Sequence, residues 1–104
     1  MTGFQDRERG FEEKFAREQE QVFRSHARAD KLLGLWAAER MGLSGDEAHA
    51  YALTLVKADL REPGDDDVVG QAVADLAAKG VAASEGEVRA VLQKCRDQVA
   101  ADPD

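Results

Sequence analysis

The 104-residue chain is 43% hydrophobic and 34% charged with a net charge of −7, a make-up that fits one small globular domain with a modest core. It has no apolar run of about 18 residues to span a bilayer, no secretory pattern at its start, and a single cysteine, Cys95, which excludes an internal disulfide and a multi-cysteine zinc site. A cytoplasmic protein that does not insert into membranes is expected, and a pI near 4.8 without a basic patch argues against nucleic acid as a partner.

The first stretch, FQDRERGFEEKF at 4–15, holds three phenylalanines, and seven of its other nine residues are charged. Phe4, Phe11, Phe15 and then Val22 superimpose on one narrow helical stripe. Asp6, Arg7, Glu8, Arg9, Glu12, Glu13, Lys14 and Arg17 surround it, nearly balanced in sign, with i,i+4 pairs such as Glu13 and Arg17 available. Gly10 lies near the middle and costs about 1 kcal/mol of helix propensity relative to alanine. Short isolated helices are already marginal in water, so residues 1–18 are expected to form a flexible, partly helical segment. The residues alone leave open a second arrangement, in which a helix begins near Asp6 and packs these rings on its own bundle.

Four helices are expected to follow, at about 19–41, 45–61, 66–79 and 85–101. In the first, RADKLLGLWAAERMG, Leu32, Leu33, Leu35 and Trp36 cover more than a narrow stripe and should face several neighbours. Gly42 ends it as the residue after the cap. A tryptophan so placed should cost about 3 to 5 kcal/mol on truncation to alanine.

Ser44 and Glu47 form a capping box that opens the second helix, whose inner face is Ala48, Tyr51, Ala52, Leu55 and Val56. Pro63 and Gly64 end it, and Asp65 to Asp67 are placed to cap the third helix and complement its dipole. Val68, Val69, Ala72, Val73 and Leu76 continue that helix to Gly80. Ser84 and Glu87 repeat the capping pattern before Val88, Val91, Leu92, Cys95 and Val99. The expected fold is all-α: a compact four-helix bundle over 19–104 behind a mobile segment at 1–18.

Metal and catalytic chemistry find little support in these residues. An EF-hand counted from Asp65 would put Val69 and Leu76 at ligand positions. His26 and His49 lack carboxylates at ligand spacing and read as helix-surface positions, while Cys95 reads as a small buried hydrophobe. No Gly-rich phosphate loop with its lysine is present, and no carboxylate pair stands apart from the solvated helical faces and caps.

The chain resembles the ζ subunit family, the small helical inhibitors of alphaproteobacterial F-type ATP synthases. The residues that carry the likeness are FQDRERGFEEKFA at 4–16, KLLGLWAAERMG at 31–42, AYALTLVKADLREPGDDDV at 50–68 and the final helix. It departs from the family's pattern at Gly10 and at Ala29-Asp30.

The resemblance implies a docking bundle and an inhibitory segment made of Phe4, Asp6, Arg7, Glu8, Arg9, Phe11, Glu12, Lys14 and Phe15. This segment would insert at a catalytic subunit interface of the synthase head and block ATP hydrolysis. The protein would be a monomer when free and would gather at the cytoplasmic face of the inner membrane through the synthase. Physically, ordering about 15 residues costs on the order of 15 to 30 kcal/mol of backbone entropy, so the segment can order only in a groove that buries its rings and pairs its charges. No cofactor is required. A weak adenine-nucleotide site between helices, or a generic adaptor role, are the alternative readings.

Overall fold

The computed structural model describes residues 22–61 and 64–101. Four helices account for nearly all of them: α1, whose described part covers 22–40, α2 at Gly45–Arg61, α3 at Asp66–Ala78 and α4 at Glu85–Ala101. Among the described residues there is no strand.

Two helices stop by the same device. At the end of α1 the Leu43 N–H donates to the Ala38 carbonyl at 2.9 Å and the Gly42 N–H to the Glu39 carbonyl at 3.1 Å. At the end of α3 the Val81 N–H donates to Leu76 and the Gly80 N–H to Ala77, both at 2.9 Å. This paired pattern satisfies the last carbonyls only if the residue after the cap is left-handed, and Gly42 and Gly80 adopt φ of 82° and 77°. Met41 belongs to the turn after α1, and Lys79 is the C-cap of α3.

The helix starts differ from one another. The Ser84 hydroxyl accepts from the Glu87 N–H at 3.1 Å, the forward bond of a capping box. At α2 the box expected from Ser44 and Glu47 does not form, and the first backbone bond of the helix, Ala48 N–H to the Ser44 carbonyl, is long at 3.5 Å against 3.0 and 3.1 Å for its counterparts in α3 and α4. Gly45, the residue after Ser44, has φ of 55°, outside helical geometry, so Ser44 does not stand directly before a regular first turn. Asp65 is the N-cap of α3 by position but makes no side-chain cap bond and sits in the right-handed helical region. Its carboxylate is engaged elsewhere.

All four helices contribute to one core: Ala29, Leu33 and Ala37 from α1, Leu55 from α2, Val68, Val69, Ala72 and Leu76 from α3, and Val88, Leu92, Cys95 and Val99 from α4. α2 packs on α3 and α3 on α4. The contact of α1 with α2 is a close one between small residues. A Cβ built on Gly34 would lie 2.5 Å from the Ala52 Cα and 2.9 Å from its Cβ. Glycine is what lets the two backbones approach so closely.

Trp36 lies at the edge of this core. It is only partly buried, packed against the rim of the core, with the Arg40 guanidinium 4.4 Å from its ring centroid. That contact adds about 0.5 to 1 kcal/mol at such a site. Truncating Trp36 to alanine is therefore expected to cost about 3 kcal/mol, the lower end of the range for a buried tryptophan, since the ring packs against the rim of the core rather than inside it. Urea denaturation of the variant, read at unchanged slope, measures the difference.

Candidate functional site

The residues assigned to inhibition by resemblance, Phe4, Asp6, Arg7, Glu8, Arg9, Phe11, Glu12, Lys14 and Phe15, lie outside the described residues. The structure does describe the helix that carries them onto the bundle. Burial on α1 begins at Ala29: Val22 and Phe23 are 57% and 52% exposed, and Arg24, Ser25, His26 and Arg28 are exposed as well. About two helical turns thus stand clear of the core before α1 is gripped by it. Val22, which continues the phenylalanine stripe in sequence, faces water here.

The first buried turn of α1 carries an unexpected group. Asp30 is 1% exposed, the one fully buried charged side chain among the described residues. Asp59 of α2 lies within hydrogen-bond reach of it, and Arg96 of α4 and Asp65 at the start of α3 act on it electrostatically. Arg96 holds Asp65 with both terminal nitrogens, Nη1 donating to Oδ2 at 2.8 Å and Nη2 to Oδ1. Two polar atoms of this cluster, Asp30 Oδ1 and Arg96 Nε, are buried without a hydrogen-bond partner.

The electrostatics follow from that arrangement. Burial, then the hydrogen bond with Asp59 and its charge, push the Asp30 carboxyl up to about 8, with Arg96 pulling the other way. The Arg96 guanidinium holds Asp65 below its ordinary value, assisted by His26 and Arg89. Cys95, 8% exposed, is pushed up by burial and by Asp30, which keeps its thiol protonated and unreactive near neutrality. Across the bundle the Tyr51 hydroxyl donates to Asp75 Oδ2 at 2.9 Å. Burial, then that bond, raise the phenol.

Asp30 and Asp65 act on stability in opposite directions. Between its unfolded value of 3.8 and about 8, Asp30 binds a proton only in the folded state, so stability falls as pH rises through that window and levels off above it. Asp65 stabilises above its unfolded value of 3.8, and its contribution is lost as pH falls through its lower folded value. The melting temperature is therefore expected to be highest on the acid side of neutrality. The unfolding free energy should decline from about pH 5.5 to pH 8, by at most about 1.4 kcal/mol per pH unit, and the melting temperature with it. Calorimetry across that range checks the sign.

Elsewhere the surface is plain. Among the described residues no group of three or more His, Cys, Asp or Glu could hold a metal ion. Val69 and Leu76, at calcium-ligand positions in the sequence frame, are fully buried. His26 and His49 are exposed on their helices. A recess of about 230 Å³ lies between α2 and α3, lined by Ala58, Arg61, Asp67 and Gln71, one basic and one acidic residue among them. Leu53 and Leu60 are exposed on α2. No described helix is long and apolar enough to cross a membrane.

Sequence reasoning missed the Asp30 cluster, though a signal was present. Asp30 shares the stripe of Leu33 and Ala37, and Arg96 falls between Leu92 and Val99, so both charges sit at core-facing positions of their helices.

No curated protein matches the chain. A structure solved in solution by NMR is similar to it at 46% sequence identity and a TM-score of 0.67, over 76% of this chain and 89% of that one. The ATPase inhibitor subunit zeta family matches residues 1–102. That match takes in the charged phenylalanine stretch as well as the bundle, and on it the chain belongs to the ATPase inhibitor subunit zeta family, with the role of an ATPase inhibitor.

Proposed function

We propose that the chain inhibits ATP hydrolysis by an F-type ATP synthase, its N-terminal segment entering a catalytic subunit interface of the head while the bundle docks beside it. The observation that carries this reading is the family match across residues 1–102, which spans both the segment and the bundle. The exposed first turns of α1 support it, because they set the segment's attachment point off from the core. Phe4, Phe11 and Phe15 serve as anchors in apolar pockets, and Arg7, Arg9 and Lys14 pair with acidic residues of the partner, while Asp6, Glu8 and Glu12 meet its basic ones. The chain performs no chemistry itself and needs no cofactor. When free it is a monomer, and it reaches the cytoplasmic face of the membrane by way of the synthase.

The test is ATP hydrolysis by the synthase of the same organism, with full-length protein and a variant lacking residues 1–18. Full-length protein should inhibit, and the deletion should raise the concentration for half-inhibition at least 100-fold while leaving the melting temperature of the bundle within a few degrees. Equal inhibition by the two forms would sink the assignment of the segment.

A further inference from the structure

We propose that Asp30 and Asp59 form a proton-locked joint: one proton held between their carboxyls fastens the first buried turn of α1 to the bundle, and losing it releases that turn. The geometry of four elements supports this. Asp30 of α1 is buried and faces Asp59 of α2, Asp65 at the head of α3, and Arg96 and Cys95 of α4. His26, one turn earlier on α1, is exposed and acts on Asp65.

The charge balance at the joint depends on that proton. Among the described residues Arg96 is the cation that acts on Asp30, and both of its terminal nitrogens are committed to Asp65. With Asp30 protonated, its acid group donates to Asp59 and two carboxylates face one guanidinium. Without the proton, three carboxylates face the same guanidinium, and Asp30 Oδ1 is a buried acceptor that receives no bond even from the uncommitted Nε of Arg96. A buried, unpaired carboxylate is too costly to hold in place, and the cheapest relief is to move it into water.

Release should be local because α1 is held unevenly. Beyond Asp30 toward the C-terminus, Leu33, Ala37 and Ala38 are fully buried and Gly34 is pressed against Ala52. Toward the N-terminus only Ala29 is buried in the described stretch. Deprotonation should therefore free α1 from Asp30 back to residue 22 and leave the rest of the bundle intact. The joint stays fastened in acid and opens in alkali, at the point where residues 1–21 join the bundle. The inference stands whether or not those residues are the inhibitory part.

The experiment is a titration of full-length protein with 13C-labelled aspartate from pH 4 to 10, with amide hydrogen exchange corrected for its intrinsic pH dependence. The Asp30 carboxyl should titrate several pH units above its ordinary 3.8, toward 8. Protection of α1 amides at 26–31 should fall at least tenfold between pH 6 and 9 while residues 68–76 of α3 keep theirs. Asp30→Asn, which donates to Asp59 without carrying charge, should make the α1 protection independent of pH. An Asp30 midpoint near 4, or the same loss of protection in Asp30→Asn, would overturn the joint. If that variant does not fold, Asp59→Asn decides: it should lower the Asp30 midpoint by at least one pH unit, and an unchanged midpoint would overturn the pairing.

Discussion

Gly34→Ala is expected to lower the unfolding free energy by about 3 kcal/mol, the upper end of the overpacking range. The new methyl would lie 2.5 Å from the Ala52 Cα, and the atom it meets is backbone, so no side-chain rotation can relieve the contact. α1 and α2 would have to separate, and Leu33 and Ala37 on either side of the crossing would lose packing with them. This loss has to overcome a gain of about 1 kcal/mol, because alanine is the better helix former. Gly70 supplies the control. It lies within α3, has no atom within 4 Å of a built Cβ and shows no positive φ, so Gly70→Ala should stabilise by about 0.5 to 1 kcal/mol. One substitution at two helical glycines should thus shift urea midpoints in opposite directions, and a gain at Gly34 would refute the close crossing.

Arg96→Ala is expected to cost about 2 to 4 kcal/mol. Its guanidinium satisfies both oxygens of Asp65 and is the positive charge next to Asp30 and Asp59. Removing it leaves the carboxylates of Asp59 and Asp65 and the Asp30 acid together at the meeting of four helices, with no positive charge between them. Breaking a fully buried pair costs about 3 to 5 kcal/mol. The side chains of Arg96 and Asp65 are 29% and 35% exposed, so water moderates the loss. Arg89 makes the comparison: it bonds Asp66 across the same helices, but at a site open to solvent, with Asp66 92% exposed. Arg89→Ala should not shift the denaturation midpoint measurably. Adding Asp65→Ala to Arg96→Ala should recover part of the loss, and a double variant no better than Arg96→Ala alone would show that the pair is not what Arg96 supports.

How far the sequence foretells this molecule depends on the range of the forces involved. Gly42 and Gly80 mark the ends of α1 and α3 because a left-handed residue after a helix is a local requirement that one residue type meets at little cost. The apolar spacing of Val68, Val69, Ala72 and Leu76 identifies the buried face of α3 because burial repeats with the helix. Asp65 shows where local reading fails: aspartate before a helix favours a cap, yet an arginine 31 positions away takes its carboxylate. Ser44 fails in the other direction, because Gly45 after it leaves the geometry that a capping box needs. Trp36 is hydrophobic enough for the core, but its helix turns much of the ring toward the rim, a matter of neighbours rather than of residue type. The phenylalanine stripe at 4–15 shows a helical face in its spacing, while what covers such a face is not written in local residues, and the family match spans the stripe without giving its residues a role.

The uncovered start of α1 bears on how strongly a tethered segment can bind. Residues 22–28 are helical and stand largely in solvent, a spacer of about 10 Å at 1.5 Å per residue. A stiff spacer confines whatever it carries to a small shell around its tip, where a random coil of equal residue number would let it wander through a larger volume. Were the bundle to dock as proposed, the local concentration of residues 1–21 at a site within that shell would rise accordingly, and at a site outside it would fall to nearly zero. On the mode of inhibition proposed above, the length and stiffness of this spacer would act as a gauge for spacing: the distance between docking surface and groove on a partner would decide which ATPases the chain could restrain, before any contact of the segment itself is made.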